Sequence, residues 1–133
     1  MALTDSSAGR IIYRGIPEGG FTMECAERVY TGDLLAVHTD GTVKPADSDD
    51  AEHGILVAGD NGADGDFIPC YVMAVIGGFT GGTEAGAVYT SATAGQYSET
   101  VDSTSGDTSE IVGYILSETE ILVTPIRAHT TST

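Results

Sequence analysis

An acidic loop supplies the side chains that are best suited to chemistry. Residues 60–66 read DNGADGD, so carboxylates are interleaved with glycines over seven positions. Hard oxygen ligands around glycines suit calcium, and the candidate ligands are Asp60, Asp64 and Asp66. Tyr71 stands where a bidentate glutamate would close an EF-hand loop. The loop therefore predicts either a structural Ca²⁺ or Mg²⁺ site or a solvated turn. A second acidic cluster has the same two interpretations and comprises Asp47, Asp49, Asp50 and Glu52.

Catalytic patterns are missing from the sequence. No serine lies in a GxSxG motif, and the three histidines (His38, His53 and His129) share no recognisable spacing with a serine or cysteine. The glycine-rich segment 77–86 has no following lysine and no strand-to-helix context, so it does not predict a phosphate-binding loop. We therefore expect a protein that is not an enzyme and that needs no organic cofactor.

The two cysteines, Cys25 and Cys70, lie 45 residues apart and neither belongs to a CxxC pair. This spacing argues against a thiolate zinc site. The sequence predicts two reduced, half-buried thiols, and it leaves a disulfide between them as the alternative.

Alternating apolar residues and polar turns predict the elements that position these groups. Residues 21–29 alternate apolar and polar side chains, and Asp40-Gly41 is a hairpin signal between two valines. Further strands are predicted at 34–38, 54–58, 67–76, 87–91, 111–117 and 120–126. No sustained helical stripe is present. The pattern indicates an all-β fold, a small β-barrel or β-sandwich of seven or eight strands.

The segment FIPCYVMAVI at 67–76 is the most apolar part of the chain. Its weak alternation predicts one strand buried on both faces, against the core and against a neighbouring subunit. Phe67, Tyr71 and Met73 are therefore candidate subunit-interface residues. Pro69 indicates an edge strand or a bulge, because proline cannot donate to a ladder.

Charge restricts the partners. The 133 residues include 20 acidic and 5 basic side chains, a formal charge of −15. Such a balance argues against binding to nucleic acid or to an anionic membrane. The sequence shows no secretory signal and no apolar run of spanning length. High acidity with a single lysine fits either a chain that lives in strong salt or an acidic mesophilic protein.

The first 20 residues are neutral overall and contain RIIYRGI at 10–16, which is more apolar than a free tail. They predict an N-terminal arm that docks on another protein, with a disordered tail as the alternative. The expected organisation is an arm at 1–20, a β-domain at 21–126 and a flexible tail at 127–133.

Four sequence segments, taken in their order along the chain, resemble the capsid cement, or head decoration, proteins of tailed viruses. They are TGDLLAVHTDGTVKPAD (31–47), HGILVAG (53–59), AGAVYTSATAGQYS (85–98) and IVGYILSETEILVTP (111–125). The likeness covers about residues 20–126 and consists of strands and turns, with no catalytic motif. Extreme acidity and the polar stretch 96–110 depart from the usual pattern.

The resemblance implies a β-tulip-like structural protein on the outer surface of a virion, made in the host cytoplasm. It implies a homotrimer that bridges major capsid subunits, with neither nucleic acid nor membrane as partner. The arm would meet the capsid through Arg10, Ile11, Ile12, Tyr13 and Arg14. The alternative function is an acidic β-barrel binding module with a structural Ca²⁺ site.

Overall fold

The computed structural model describes residues 3–7, 9–47, 53–100 and 111–125. Within these ranges the fold is all-β, as the sequence predicts, and no helix is long and apolar enough to cross a bilayer. Eleven strands follow in chain order: β1 Ile11–Ile16, β2 Phe21–Glu24, β3 Leu34–Val37, β4 Val43–Pro45, β5 Leu56–Ala58, β6 Phe67–Tyr71, β7 Met73–Gly77, β8 Ala87–Thr90, β9 Tyr97–Ser98, β10 Ile111–Ile115 and β11 Glu120–Val123.

The strands form two antiparallel sheets. The six-stranded sheet has the order β1-β7-β11-β10-β8-β9, and the five-stranded sheet has the order β2-β6-β5-β3-β4. The Asp40-Gly41 turn joins β3 to β4, and β10 pairs with β11, as their sequences predict. Neither sheet closes into a barrel over the described ranges, so the architecture is a β-sandwich.

The apolar segment 67–76 forms two strands rather than one. It divides at Val72, so that β6 lies in the five-stranded sheet and β7 in the six-stranded sheet. Strands that pass from one sheet to the other make the corners of sandwiches. Pro69 is on neither an edge strand nor a bulge, which corrects the prediction. The carbonyl of Pro69 accepts the N–H of Gly59, which directly follows β5. The N–H that proline lacks would therefore belong to the end of the β5–β6 ladder, where its loss breaks no interior hydrogen bond.

Residues 11–16 belong to the sandwich and do not form a separate arm. The strand β1 pairs antiparallel with β7, and Ile12 packs against the main core. The next strand, β2, pairs with β6, so the chain from 11 to 24 follows the bent path of β6 and β7. The predicted tail 127–133 lies outside the described residues.

Two apolar cores hold the layers together. The main core lies between the sheets, and its large members include Leu34, Ile76, Phe79 and Ile121. A second core on the other side of the five-stranded sheet includes Leu35, Ile68, Cys25 and Cys70. The segment 25–30 covers this second core, because Cys25 bridges to Val43 and Val29 bridges to Gly62. Among the described residues, both faces of the five-stranded sheet are therefore covered, whereas the six-stranded sheet is covered on one face.

Candidate interaction face

The side of the six-stranded sheet that faces away from the main core displays a continuous set of side chains, here called the outer face. In β7, Ala74 and Ile76 are buried in the main core, so Met73 and Val75 point the opposite way. Residues that pair across strands share a face, which extends the outer face to the neighbouring strands. The outer face consists of Ile11, Tyr13, Arg14 and Ile16 from β1, Met73 and Val75 from β7, Tyr114 from β10, Leu116 from the following turn, and Glu120 and Leu122 from β11.

Strand register arranges these side chains in rows. Arg14 pairs with Val75, Val75 with Leu122, and Leu122 with Tyr114, which gives one row across four strands. The neighbouring row runs from Ile11 through Gly77 to Glu120. The rows are laterally adjacent, so the outer face is one patch rather than scattered residues.

Large apolar side chains dominate this patch and are open to solvent. Tyr13 is 58% exposed, Ile11 53%, Tyr114 47% and Leu116 46%. The ring of Tyr13 lies over Gly77, where an added Cβ would come within 2.4 Å of it. Contiguous exposed apolar patches are often functional, so this patch is the candidate interaction surface among the described residues.

The outer face is also poor in charge. Arg14 and Glu120 are the only charged residues in the strands of the six-stranded sheet. The chain carries −15 overall, and the other charged residues that the structure describes lie outside these strands. A partner can therefore approach this surface without desolvating a dense layer of carboxylates.

The free edge of β1 is a poorer docking site than the face. A register shift between Ile12 and Arg14 leaves Tyr13 as a bulged residue. Bulges disrupt the regular row of donors and acceptors that an added strand would need. An open groove of about 530 Å³ runs along this edge, and Tyr71 lies in it beneath Gly15. The bulge favours side-chain docking on the outer face over addition of a strand.

The predicted contact residue Arg10 is buried in the protein, which corrects its assignment to the surface. Its Nε and Nη2 atoms donate to the two carboxylate oxygens of Asp5 at 2.9 and 2.8 Å. Its Nη1 donates to Asp33 and to the carbonyl of Thr31, and Nη2 also reaches the carbonyl of Gly95. Both ion pairs have side-chain exposures of 2% or less. Arg10 is thus a structural residue that fixes the start of β1.

Electrostatics in this cluster follow from burial and pairing. Burial would lower the pKa of Arg10, but the hydrogen bonds and charge of Asp5 outweigh it, and the pKa is raised. Burial raises the pKa of Asp33, against the opposing effects of the Tyr30 amide and Arg10. Tyr97 closes the cluster, because its N–H donates to Asp5 and its hydroxyl donates to the carbonyl of Gly32.

The predicted subunit-interface residues do not come together. Met73 lies on the outer face beside Ile16, its partner in β1. Phe67 lies on β6 in the other sheet and is 67% exposed. Tyr71 is half-buried against the main core and Gly15. Met73 therefore joins the predicted contact residues Ile11, Tyr13 and Arg14 on one surface. The prediction is wrong for Ile12, which packs against the main core.

The acidic loop forms turns in the structure. The carboxylate of Asp66 accepts the N–H of Ala63 at 2.9 Å, and that of Asp60 accepts the N–H of Asn61 at 2.8 Å. Among the described residues, no group of three or more His, Cys, Asp or Glu side chains could hold a metal ion. The Ca²⁺ or Mg²⁺ site at Asp60, Asp64 and Asp66 therefore stays a prediction without geometric support. Most of the second acidic cluster lies outside the described residues.

Both cysteines are free and buried in the second core. They form no disulfide, which excludes the alternative prediction. Burial raises the pKa of Cys70 to about 12, to which the charge of Cys25 contributes, and burial also raises the pKa of Cys25.

Comparison with protein-family models, with curated proteins and with solved structures gave no match to this chain. Function must therefore be inferred from the outer face and from the sequence pattern.

Proposed function

We propose that the protein is a capsid decoration, or cement, protein that binds the outer surface of an icosahedral viral head. It would stabilise contacts between major capsid subunits and carry out no chemical reaction. The observation that carries this proposal is the outer face, an apolar and nearly uncharged surface on a strongly acidic chain. A protein whose task is to hold neighbours together needs such a surface.

Three further features support the proposal. The order of strand and turn phrases between residues 20 and 126 resembles decoration proteins. Among the described residues, the five-stranded sheet is covered on both faces and leaves the outer face of the other sheet for docking. Acidic side chains such as Glu27, Asp40 and Glu84 are exposed outside the strands of the six-stranded sheet, where they would keep a crowded particle hydrated.

In this proposal the outer face contacts the major capsid protein. Ile11, Tyr13 and Arg14 keep the role that the resemblance gives them, and Met73 joins them. Arg10 contributes indirectly by fixing β1. Exposed Phe67 on the other sheet is available for contact with a neighbouring copy in a shell-bound homotrimer. Many copies on one lattice would bind with avidity even where each contact is weak.

Co-sedimentation with empty expanded shells, assembled from the major capsid protein of the same genome, tests the proposal. Tyr114→Asp and Ile11→Asp place a charge on the outer face and should weaken shell binding at least ~10-fold, about 1.4 kcal/mol. Val37→Asp is the matched control, because Val37 is an exposed apolar residue of β3 in the other sheet. Absence of shell binding by the wild-type protein would exclude the function. Equal loss in all three variants would exclude the outer face as the docking surface.

A further inference from the structure

The outer face carries one charge of each sign, and their placement is self-complementary. Arg14 lies in the row of Val75 and Leu122, and Glu120 lies in the row of Ile11 and Gly77. Arg14 is on β1 and Glu120 is on β11, with β7 between them. Strand and residue spacings therefore separate them by roughly 10 Å across the sheet and 7 Å along it.

Such a pair suits a twofold-symmetric contact. In an isologous dimer each patch meets the same patch of the other copy. The twofold axis of such a dimer lies in the plane between the two facing sheets. If it crosses β7 midway between Arg14 and Glu120, at right angles to the line that joins them, it brings Arg14 of each copy opposite Glu120 of the other. The apolar side chains around the axis, Val75 and Tyr13 among them, would then pack against their own copies. Arg14 and Glu120 are the only charged residues in the strands of this sheet, so no like charges from those strands would meet.

We infer that, before it meets a shell, the free protein covers its outer face with a second copy of itself in a face-to-face dimer. The inference rests on the proposed function, because the same face is then the one that docks on the shell. Dimerisation and shell binding would compete, and the dimer would keep the apolar patch out of water until capsid is available.

The size of the patch sets the strength of this dimer. Four strands and about five residues along each give a planar area of roughly 300 Å² per copy. Stable complexes bury about 800 Å² per partner, so this contact is small and readily reversed. The formal charge of −15 on each copy opposes association. Added salt screens that repulsion, so the dimer should strengthen as salt rises.

Analytical ultracentrifugation of the free protein tests the inference, at ~1 µM to ~1 mM protein and in salt from ~0.05 to ~1 M. We expect a monomer–dimer equilibrium that shifts toward dimer with salt. Arg14→Glu and Glu120→Arg should each raise the dissociation constant at least ~10-fold, because like charges then meet. The combined variant Arg14→Glu/Glu120→Arg should return to within ~3-fold of wild type.

Two exposed residues outside the outer face supply matched controls. Arg28→Glu makes the same charge change as Arg14→Glu, and Glu27→Arg makes the same change as Glu120→Arg, on the segment that covers the second core. Neither should weaken the dimer by more than ~2-fold. Thermal melts of all five variants check that each one folds. A wild-type monomer under every condition, or a combined variant that is not rescued, would overturn the inference.

Competition with the shell separates this inference from the proposed function. Shell binding of the wild-type protein is measured over the same concentration range as the ultracentrifugation. If the dimer competes with the shell, occupancy below saturation should rise only with about the square root of total protein once the dimer predominates, because free monomer then rises in that way. Occupancy that rises in proportion to total protein while the dimer predominates would refute the competition. If wild type dimerises but binds no shell, the proposed function falls and the dimer stands.

Discussion

Arg10 and Asp5 form an ion pair with two hydrogen bonds, at 2.9 and 2.8 Å, that is almost fully buried. The same guanidinium also binds Asp33, whose other carboxylate oxygen accepts the N–H of Tyr30. One side chain therefore ties residues 3–7 and the turn before β3 to the start of β1. The outer face begins at the next residue, Ile11.

Removing this guanidinium should be far more costly than removing an exposed one. Arg10→Met leaves two carboxylates buried without their cation, and we expect a loss of about 3–5 kcal/mol in the free energy of unfolding. Arg28→Met is the control, because the Arg28 side chain is exposed and makes a cation–π contact with Tyr30, at 5.9 Å from the ring centroid. The control should lose less than about 1 kcal/mol. Urea unfolding measures both, and a similar small loss in both variants would contradict a structural role for Arg10.

The burial of Arg10 could not be predicted from the sequence. Its partners Asp5, Asp33 and Gly95 are 5, 23 and 85 residues from Arg10. No periodicity links positions at such separations, so RIIYRGI predicts an exposed arm when it is read alone. Its arginine side chains in fact point to different environments, because Arg10 is buried and Arg14 lies on the outer face.

Local signals predicted the class of fold well. Alternation and turn residues such as Asp40-Gly41 act over a few positions, and they specify hairpins that the structure contains. The break at Val72 could not be predicted, because a continuous apolar run does not reveal where a strand passes between sheets. The outer face could not be predicted either, because it depends on which sheet face lies away from the two cores, and only the assembled sandwich shows that.

Two glycines beneath tyrosine rings should respond differently to an added methyl group. A Cβ at Gly15 would lie 2.4 Å from the half-buried ring of Tyr71, near the base of that side chain. Overpacking of this kind costs about 1–3 kcal/mol, and we expect that loss for Gly15→Ala. A Cβ at Gly77 meets the far end of the exposed Tyr13 ring, which can swing away. Gly77→Ala should therefore cost less than about 1 kcal/mol.

A double-mutant cycle checks the physical cause of each effect. Tyr71→Ala should remove most of the additional cost of Gly15→Ala, because the two groups are in contact. Tyr13→Ala should change the small effect of Gly77→Ala by only a few tenths of a kcal/mol. Denaturant unfolding gives the four free energies for each pair. Equal costs for the two glycine variants would show that ring mobility does not decide the outcome.

Alkaline pH should destabilise the fold through the buried thiols. The pKa of Cys70 is about 12 in the folded state and near 9 when the thiol is exposed. Below pH 9 both states keep the proton, so the stability is unaffected. Between pH 9 and 12 only the unfolded state ionises, so stability should fall by up to about 1.4 kcal/mol per pH unit from this group.

Unfolding free energies across this range measure the slope, and Cys70→Ala is the control. The variant should show a shallower fall, although Cys25 and Tyr97, whose pKa values are also raised by burial, keep the slope above zero. Both thiols should resist a thiol-specific reagent at pH 8 until urea unfolds the protein. Rapid labelling of the folded protein would show that the second core is open to solvent.

Salt should stabilise the protein, because its charge of −15 acts against the compact state. The Debye length falls from about 30 Å at 0.01 M to about 3 Å at 1 M salt, so repulsion between surface carboxylates is screened over that range. We expect the melting temperature to rise by several degrees between these limits, about 1 kcal/mol or more for a domain of this size.

Glu27→Gln/Glu84→Gln removes two exposed charges and should melt higher in dilute buffer with a smaller gain from salt. The buried Arg10 cluster is shielded from salt, so Arg10→Met should keep the full gain. A melting temperature that falls with salt would mean that attractive surface pairs outweigh the repulsion.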